Sequence, residues 1–161
     1  MNQQCCKTFS PGRRRQGGVA AVEFAITMFL LLLIGAGLVE FGRAFWFYDA
    51  VVKGTRDAAR YLSTVPTANL AGVGATTASN IVVQAATAGG VPAFSSANVS
   101  ISCAPTACGA AVLPSNISSV TVSATYPMSI GGLFPFLVSG SAGRSSFDVT
   151  LAPHTTMPYL W

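Results

Sequence analysis

The sequence predicts an α+β protein in which a long N-terminal helix, part of it in a membrane, packs on a small antiparallel sheet. Residues 19–39 form an apolar run that contains one charged residue, Glu23. Apolar residues at helical spacing then continue to about residue 65, and from residue 98 onward they alternate with polar residues, as in half-buried strands. We therefore expect a helical spine, one short extra helix and about three strands.

The apolar run is predicted to cross a membrane, because a helix of about twenty residues spans the roughly 30 Å hydrocarbon core of a bilayer. Glu23 lies near its start. A carboxylate inside such a segment is costly enough to indicate a cationic partner and a function. The alternative is that Glu23 lies at shallow depth and its side chain reaches the headgroups.

The N-terminal flank predicts the orientation, since it carries four cations and no acid: Lys7, Arg13, Arg14 and Arg15. Positive flanks stay in the cytoplasm, so the C-terminus should be periplasmic. A cleaved secretory signal is disfavoured, because the apolar run is long and no small-residue cleavage site follows it. We expect four segments: a cytoplasmic basic leader (1–18), the transmembrane helix (19–42), its periplasmic continuation (43–65) and a small α+β periplasmic domain (66–161).

The continuation of the helix carries an apolar seam, in which residues recur at alternating steps of four and three and so share one face. The seam consists of Phe41, Phe45, Tyr48, Val52, Thr55, Ala59 and Leu62. We expect it to pack on the distal domain or on a neighbouring subunit. The aromatic run at residues 45–48 is typical of the outer membrane interface.

The distal part is predicted to contain a short helix over residues 76–88, stopped by Gly89 and Gly90, and three strands. The strands are expected near residues 99–103, 120–125 and 147–151, in one sheet covered by the long helix. The apolar, glycine-rich residues 128–140 are expected either to complete the core or to dock a partner.

The four cysteines are predicted to form two pairs with different fates. Cys5 and Cys6 lie in the leader, on the reducing side of the membrane, and should remain thiols. Cys103 and Cys108 lie in the exported part, where we expect a disulfide between them. The alternative, a metal site, would need further ligands, and His154 is the single histidine of the chain.

Composition and motif content argue against nucleic-acid binding and catalysis. Four of the nine basic residues lie in the leader, which leaves no extended basic face on the remainder. The acids past the membrane are few, and none forms a pattern typical of a catalytic, metal or phosphate site. We expect no enzyme activity, no cofactor, no metal and no small-molecule substrate.

Three motifs stand out over residues 13–62. The first is Gly18 followed by Val-Glu-Phe-Ala at residues 22–25 and a run of leucines. The others are Glu-Phe-Gly-Arg at residues 40–43 and Ala-Ala-Arg-Tyr at residues 58–61. Together they resemble the motifs of the TadE-like proteins of the tight-adherence (Flp) pilus system. The beginning also resembles the processing site of type IV pilins and pseudopilins. The resemblance implies a pilin-like fold and a minor pseudopilin of this pilus system.

The resemblance further implies that a prepilin peptidase cuts between Gly18 and Val19, which makes Glu23 the fifth residue of the mature chain. Cleavage after Gly17 would make it the sixth, so the later cut fits the family spacing. In the family, Glu23 would pair with the new amino group of Val19 on a neighbouring subunit. The implied partners are other pilins or pseudopilins, the inner-membrane pilus platform and the lipid bilayer.

A second hypothesis needs no processing. In it, the protein is an uncut single-pass anchor whose periplasmic domain scaffolds an envelope complex without entering a pilus. The mature N-terminus distinguishes the two hypotheses.

Overall fold

The computed structural model describes residues 17–109, 116–130 and 147–160. The predicted leader with Cys5 and Cys6, and all but the first few residues of the apolar segment 128–140, lie outside these residues. The helices are α1 (Gly17–Leu62), α2 (Thr67–Asn69) and α3 (Ala75–Ala88), with a π-helical turn at Leu70–Gly74 and a 3-10 turn at Ser96–Asn98. The strands are β1 (Val99–Pro105), β2 (Ile117–Ala124), β3 (Tyr126–Ile130), β4 (Phe147–Leu151) and β5 (His154–Pro158).

The predicted fold class is confirmed, with a long helix, a second helix and small antiparallel sheets. One strand was placed wrongly. Residues 147–151 were expected in the main sheet, which instead has the order β1-β2-β5, while β4 pairs with β3 in a separate two-stranded sheet. After Ala124 the chain leaves the main sheet, and β3 and β4 pair with each other. The chain then returns to the main sheet, where β5 pairs with β2.

The described chain divides into two compact units, with the boundary between Gly37 and Leu38. In the first unit, the apolar side chains of α1 are exposed, as at Val19 (76%) and Leu32 (66%). The second unit contains the core. Its fully buried side chains come from the rest of α1, from the π-helical turn, from α3 and from β2: Val51, Thr55, Leu62, Leu70, Val82, Val120 and Val122.

Hydroxyl groups end α1 at Leu62, three residues before the predicted end. Ser63 Oγ donates to the Arg60 carbonyl at 2.8 Å, and Thr64 Oγ1 donates to the Tyr61 carbonyl at 2.9 Å. These bonds satisfy carbonyls that a helix end leaves without an intrahelical partner. Pro66 follows and has no N–H to continue the helix.

Helix α3 corresponds to the predicted short helix. It runs over residues 75–88, close to the predicted span, and ends in a Schellman motif. The N–H of Val91 donates to Ala86 and that of Gly90 donates to Thr87, at 3.0 and 2.9 Å. Gly90 has a φ of +77°, which glycine adopts without a Cβ penalty. The buried side of α3 consists of Ala78, Val82 and Ala86, and Ile81 and Ala85 lie at its half-buried flank.

Small residues allow α1 and α3 to cross closely. A Cβ placed on Gly54 would lie 2.9 Å from the Ala85 Cβ and 3.1 Å from the Val82 Cα. A Cβ on Gly89 would clash with the Cβ of Ala50. Glycine is therefore needed at both positions for the observed backbone distance.

The C-terminal strand is tied to the end of α1. The Leu160 N–H donates to the Ser63 carbonyl at 3.0 Å, and the Tyr159 hydroxyl donates to the Val65 carbonyl at 2.6 Å. Tyr159 is buried, and this burial raises the pKa of its phenol above 10.0. The bond closes the unit by joining chain positions far apart in sequence.

We predict that Gly54→Ala destabilises the second unit, because the added methyl forces the two helices apart. Overpacking of this kind costs about 1–3 kcal/mol, and better helix propensity offsets about 1 kcal/mol of it. Gly42→Ala is the matched control, since a Cβ at Gly42 would have no atom within 4 Å. Thermal unfolding in detergent should show a lower Tm for Gly54→Ala and an unchanged or higher Tm for Gly42→Ala. Equal effects of the two variants would contradict the close crossing.

Tyr159→Phe should lower the free energy of unfolding by about 1 kcal/mol, since it removes one buried hydrogen bond. The folded-state pKa is raised, so the contribution of Tyr159 is complete below pH 10 and is lost as the pH rises through the folded-state pKa. Urea unfolding across this range should show a smaller alkaline loss of stability in Tyr159→Phe than in the wild type. Tyr48→Phe, which alters an exposed tyrosine, should retain the wild-type loss.

Candidate assembly site

The N-terminal part of α1 places the predicted cleavage and charge-pair residues on one helix face. Val19 and Glu23 are four residues apart, and they line the same shallow depression together with Gly18, Val22 and Ile26. The Glu23 carbonyl accepts a bond from Thr27 Oγ1 at 2.9 Å. Within the described part of the chain, the Glu23 carboxylate has no ion-pair partner. This face therefore presents one acid beside the position where cleavage would create an amine.

The side chains around this face are mostly apolar and exposed. Among the described residues, one helix, residues 18–62, is long and apolar enough to cross a membrane. Its most apolar 18-residue window has a mean hydropathy of 2.4, and none of that window is buried. Exposing so much apolar surface to water is unfavourable, at about 25 cal/mol per Å². The helix is thus compatible with a single-pass membrane anchor.

The seven seam residues fall into two environments. Thr55, Ala59 and Leu62 are completely buried, and Thr55 Oγ1 is 3.2 Å from Thr155 Oγ1 of β5. Val52 is half-buried. The N-terminal members are exposed: Phe41 at 63%, Phe45 at 66% and Tyr48 at 43%. Only the C-terminal half of the seam contributes to the core, and packing of the whole seam on one partner stays a prediction.

An ion pair that the sequence did not lead us to expect lies beside the exposed end of the seam. Glu40 is only 4% exposed, and its Oε2 is 2.8 Å from Nη2 of Arg43. A buried carboxylate loses hydration, and the nearby guanidinium offsets part of that loss. The sequence could have predicted this ion pair, because both residues belong to the motif at residues 40–43 and their spacing of three places them on one helix face.

The fixed charges of the second unit are concentrated on the exposed side of α1. Lys53 Nζ is 2.6 Å from Asp49 Oδ2, with both side chains more than half exposed, so the pair contributes at most about 0.5 kcal/mol. The other exposed charges of this stretch are Arg56, Asp57 and Arg60. Beyond it, residues 61–143 contain no Asp, Glu, Lys, Arg or His. This stretch of the unit therefore interacts through hydroxyl, amide and apolar groups, and residues of these types return at Arg144, Asp148 and His154.

Cys103 and Cys108 form the expected disulfide, with their Cα atoms 5.1 Å apart. It closes a short loop at the end of β1. His154 is exposed on β5. Within residues 17–109, 116–130 and 147–160, no group of three or more His, Cys, Asp or Glu side chains is placed to hold a metal ion.

Comparison with known proteins gives one match. No curated protein and no solved structure matches the chain. Residues 18–60 match the model of a family described as TadE-like protein. The matched segment begins at Gly18, contains Glu23 and the Glu40–Arg43 pair, and ends on the last turn of α1. The resemblance of this segment to the TadE-like proteins, expected from its three motifs, is thereby confirmed.

Proposed function

We propose that the protein is a minor pseudopilin of a tight-adherence pilus machine, anchored in the inner membrane by the first part of α1. The observation that carries this proposal is the family match from Gly18 onward, over a helix whose first part, residues 19–39, exposes its apolar side chains and carries Glu23 as its single acid. Proteins of this family are components of pilus systems, and their role is structural rather than catalytic. Interaction with other pilus proteins follows from that role.

The topology proposed for the chain follows from its charges. The cations of residues 1–18 hold the N-terminus in the cytoplasm. Residues 19–42 cross the inner membrane, residues 43–65 continue the helix into the periplasm, and residues 66–161 form the periplasmic domain. The disulfide between Cys103 and Cys108 supports this placement, because disulfides persist in oxidising compartments.

Processing is proposed to occur between Gly18 and Val19, by a prepilin peptidase acting at the cytoplasmic face. A Cβ on Gly18 would have no atom within 4 Å, so the fold does not require glycine at this position. A requirement for Gly18 in cells would therefore reflect recognition by the peptidase. Released from the leader, the chain begins with a cationic amino group on Val19.

The mechanism proposed for assembly is electrostatic. The amino group of Val19 and the carboxylate of Glu23 lie in the same layer of an apolar helix. Each charge alone bears a desolvation cost of several kcal/mol, and pairing offsets that cost where water is scarce. Pairing between neighbouring subunits sets their axial register, because only one stagger brings the two charges together.

The second candidate is an uncut single-pass anchor whose periplasmic domain scaffolds an envelope complex. It shares the membrane helix and the second unit, and it differs in keeping residues 1–18 and in having no free amine at Val19. The position of Glu23 within the matched segment favours the first candidate.

Intact mass of the protein from cells should correspond to a chain that starts at Val19. Gly18→Leu should block cleavage and retain the leader, while the matched variant Gly17→Leu should still be cut. Alkylation without reductant gives a second readout, because the uncut chain carries Cys5 and Cys6 as thiols and the cut chain carries none. A wild-type protein that keeps residues 1–18 in cells with an active peptidase rules out the pseudopilin and leaves the anchor.

Glu23→Ala and Glu23→Gln should both insert into the membrane normally and both recover less of the partner pilins on co-purification. The glutamine variant preserves the size of the side chain, so its defect isolates the charge. Thr27→Ala is the control, since it alters the same helix face one turn later and removes only a bond to the Glu23 carbonyl. Wild-type recovery of partners with Glu23→Gln would contradict the electrostatic mechanism.

A further inference from the structure

Contacts along α1 fix which parts of the second unit lie near which end of that helix. The Trp46 indole N–H donates to the Gly89 carbonyl at 3.0 Å, and Gly89 also lies against Ala50. Further along, Gly54 faces α3 near its middle, and Val65 accepts the Tyr159 bond. The C-terminal end of α3 therefore lies beside the start of the unit, and Tyr159 lies at its other end.

Chain connectivity keeps the first of these ends close to the apolar segment. Trp46 follows Val39 by seven residues. Seven residues span about 10 Å as a helix and at most about 25 Å when fully extended. If residues 19–42 cross a bilayer, as the proposed function requires, Trp46 and the turn after α3 lie within this reach of the membrane surface.

The side chains at this end have the chemistry of a membrane interface. Phe41, Phe45 and Trp46 are exposed to 63%, 66% and 67%, and Trp46 keeps its N–H bonded while its ring faces outward. Aromatic rings, Trp above all, are enriched at the headgroup level. Except for Val91, which is buried, the turn at residues 88–93 adds small exposed or half-buried groups and no charge.

Nearby charge is compensated. Arg43 is 41% exposed, but it is paired with Glu40. The next exposed charge along α1 after Arg43 is Asp49, further from the apolar segment. Contact with lipid at this end therefore desolvates no unpaired charge among the residues described.

We propose that Phe41, Phe45, Trp46 and residues 88–93 form a bilayer-facing surface that rests on the headgroup layer, so that the end of α3 contacts lipid as well as α1. This inference rests on the membrane anchoring in the proposed function. The occupant of the surface is the bilayer itself. Because the surface has no free cation, it should bind zwitterionic and anionic lipid equally and be insensitive to salt.

The test uses the full chain in phosphatidylcholine nanodiscs, with Cys5 and Cys6 replaced by serine and the disulfide left oxidised. Single cysteines carrying a fluorophore are placed at exposed positions by Ala88→Cys, Val73→Cys and Leu30→Cys. Quenching is then measured with two lipids, a phosphatidylcholine that carries a nitroxide near the headgroup and one that carries it in the middle of the acyl chain. Position 73 is the matched control, since the rise of α1 from Ala50 to Leu62 separates the two ends of the unit by about 18 Å.

Strong quenching at position 30 by the mid-chain nitroxide and at position 88 by the headgroup nitroxide, with little at 73 by either, is the expected result, and it should be unchanged in anionic lipid. In the Trp161→Phe variant, emission of Trp46 should also be quenched. Quenching at 30 but not at 88 overturns the bilayer-facing surface while leaving the anchor intact. Shielding of 88 from aqueous iodide without lipid quenching assigns the surface to a protein partner and likewise overturns the proposal. Absence of quenching at 30 overturns the anchor and this inference together.

Discussion

The proposed function depends on one physical constraint, the free-energy cost of placing a carboxylate in an apolar helix that has no other charge. Residues 19–39 expose apolar side chains along their whole length and carry one charge, Glu23. In lipid, that charge is costly unless a cation neutralises it, and residues 19–39 contain none. Proteolysis after Gly18 would create the cation on Val19, one turn away. A single acid thus links the apolar helix, processing and assembly.

One helix serves two environments by changing the residues it presents. Its first part exposes large aliphatic side chains, whereas its last turns bury small or branched ones, such as Thr55 and Ala59. Gly54 allows α3 to approach closely, and the turn after Leu62 receives the C-terminal strand through Tyr159. The core therefore forms around the distal half of α1, and the proximal half remains available for lipid or neighbouring helices.

Local patterns in the sequence were sufficient for the elements and insufficient for some pairings. Apolar residues three and four positions apart predicted α1, and Gly89 with Gly90 predicted the end of α3. Strand β4 was assigned to the wrong sheet, because alternation shows that a segment is a strand but not which strand it pairs with. The exposure of half of the seam was not predicted for a related reason. Helical spacing identifies a face but not how far along that face the core extends. The burial of Glu40 depends on tertiary packing and had no local signal of its own beyond the spacing to Arg43.

The most direct test of the charge pair is carbodiimide cross-linking of assembled complexes, which joins an amine to a carboxylate only when the two are in contact. Lys53 and Asp49 are 2.6 Å apart and supply an internal positive control within each chain. If the charge pair forms between subunits, an additional amide is expected between the amino group of Val19 and Glu23 of a different chain. Mass spectrometry of isotopically mixed subunits would identify this amide. Formation of the Lys53–Asp49 amide without any amide at Glu23 would contradict the charge pair.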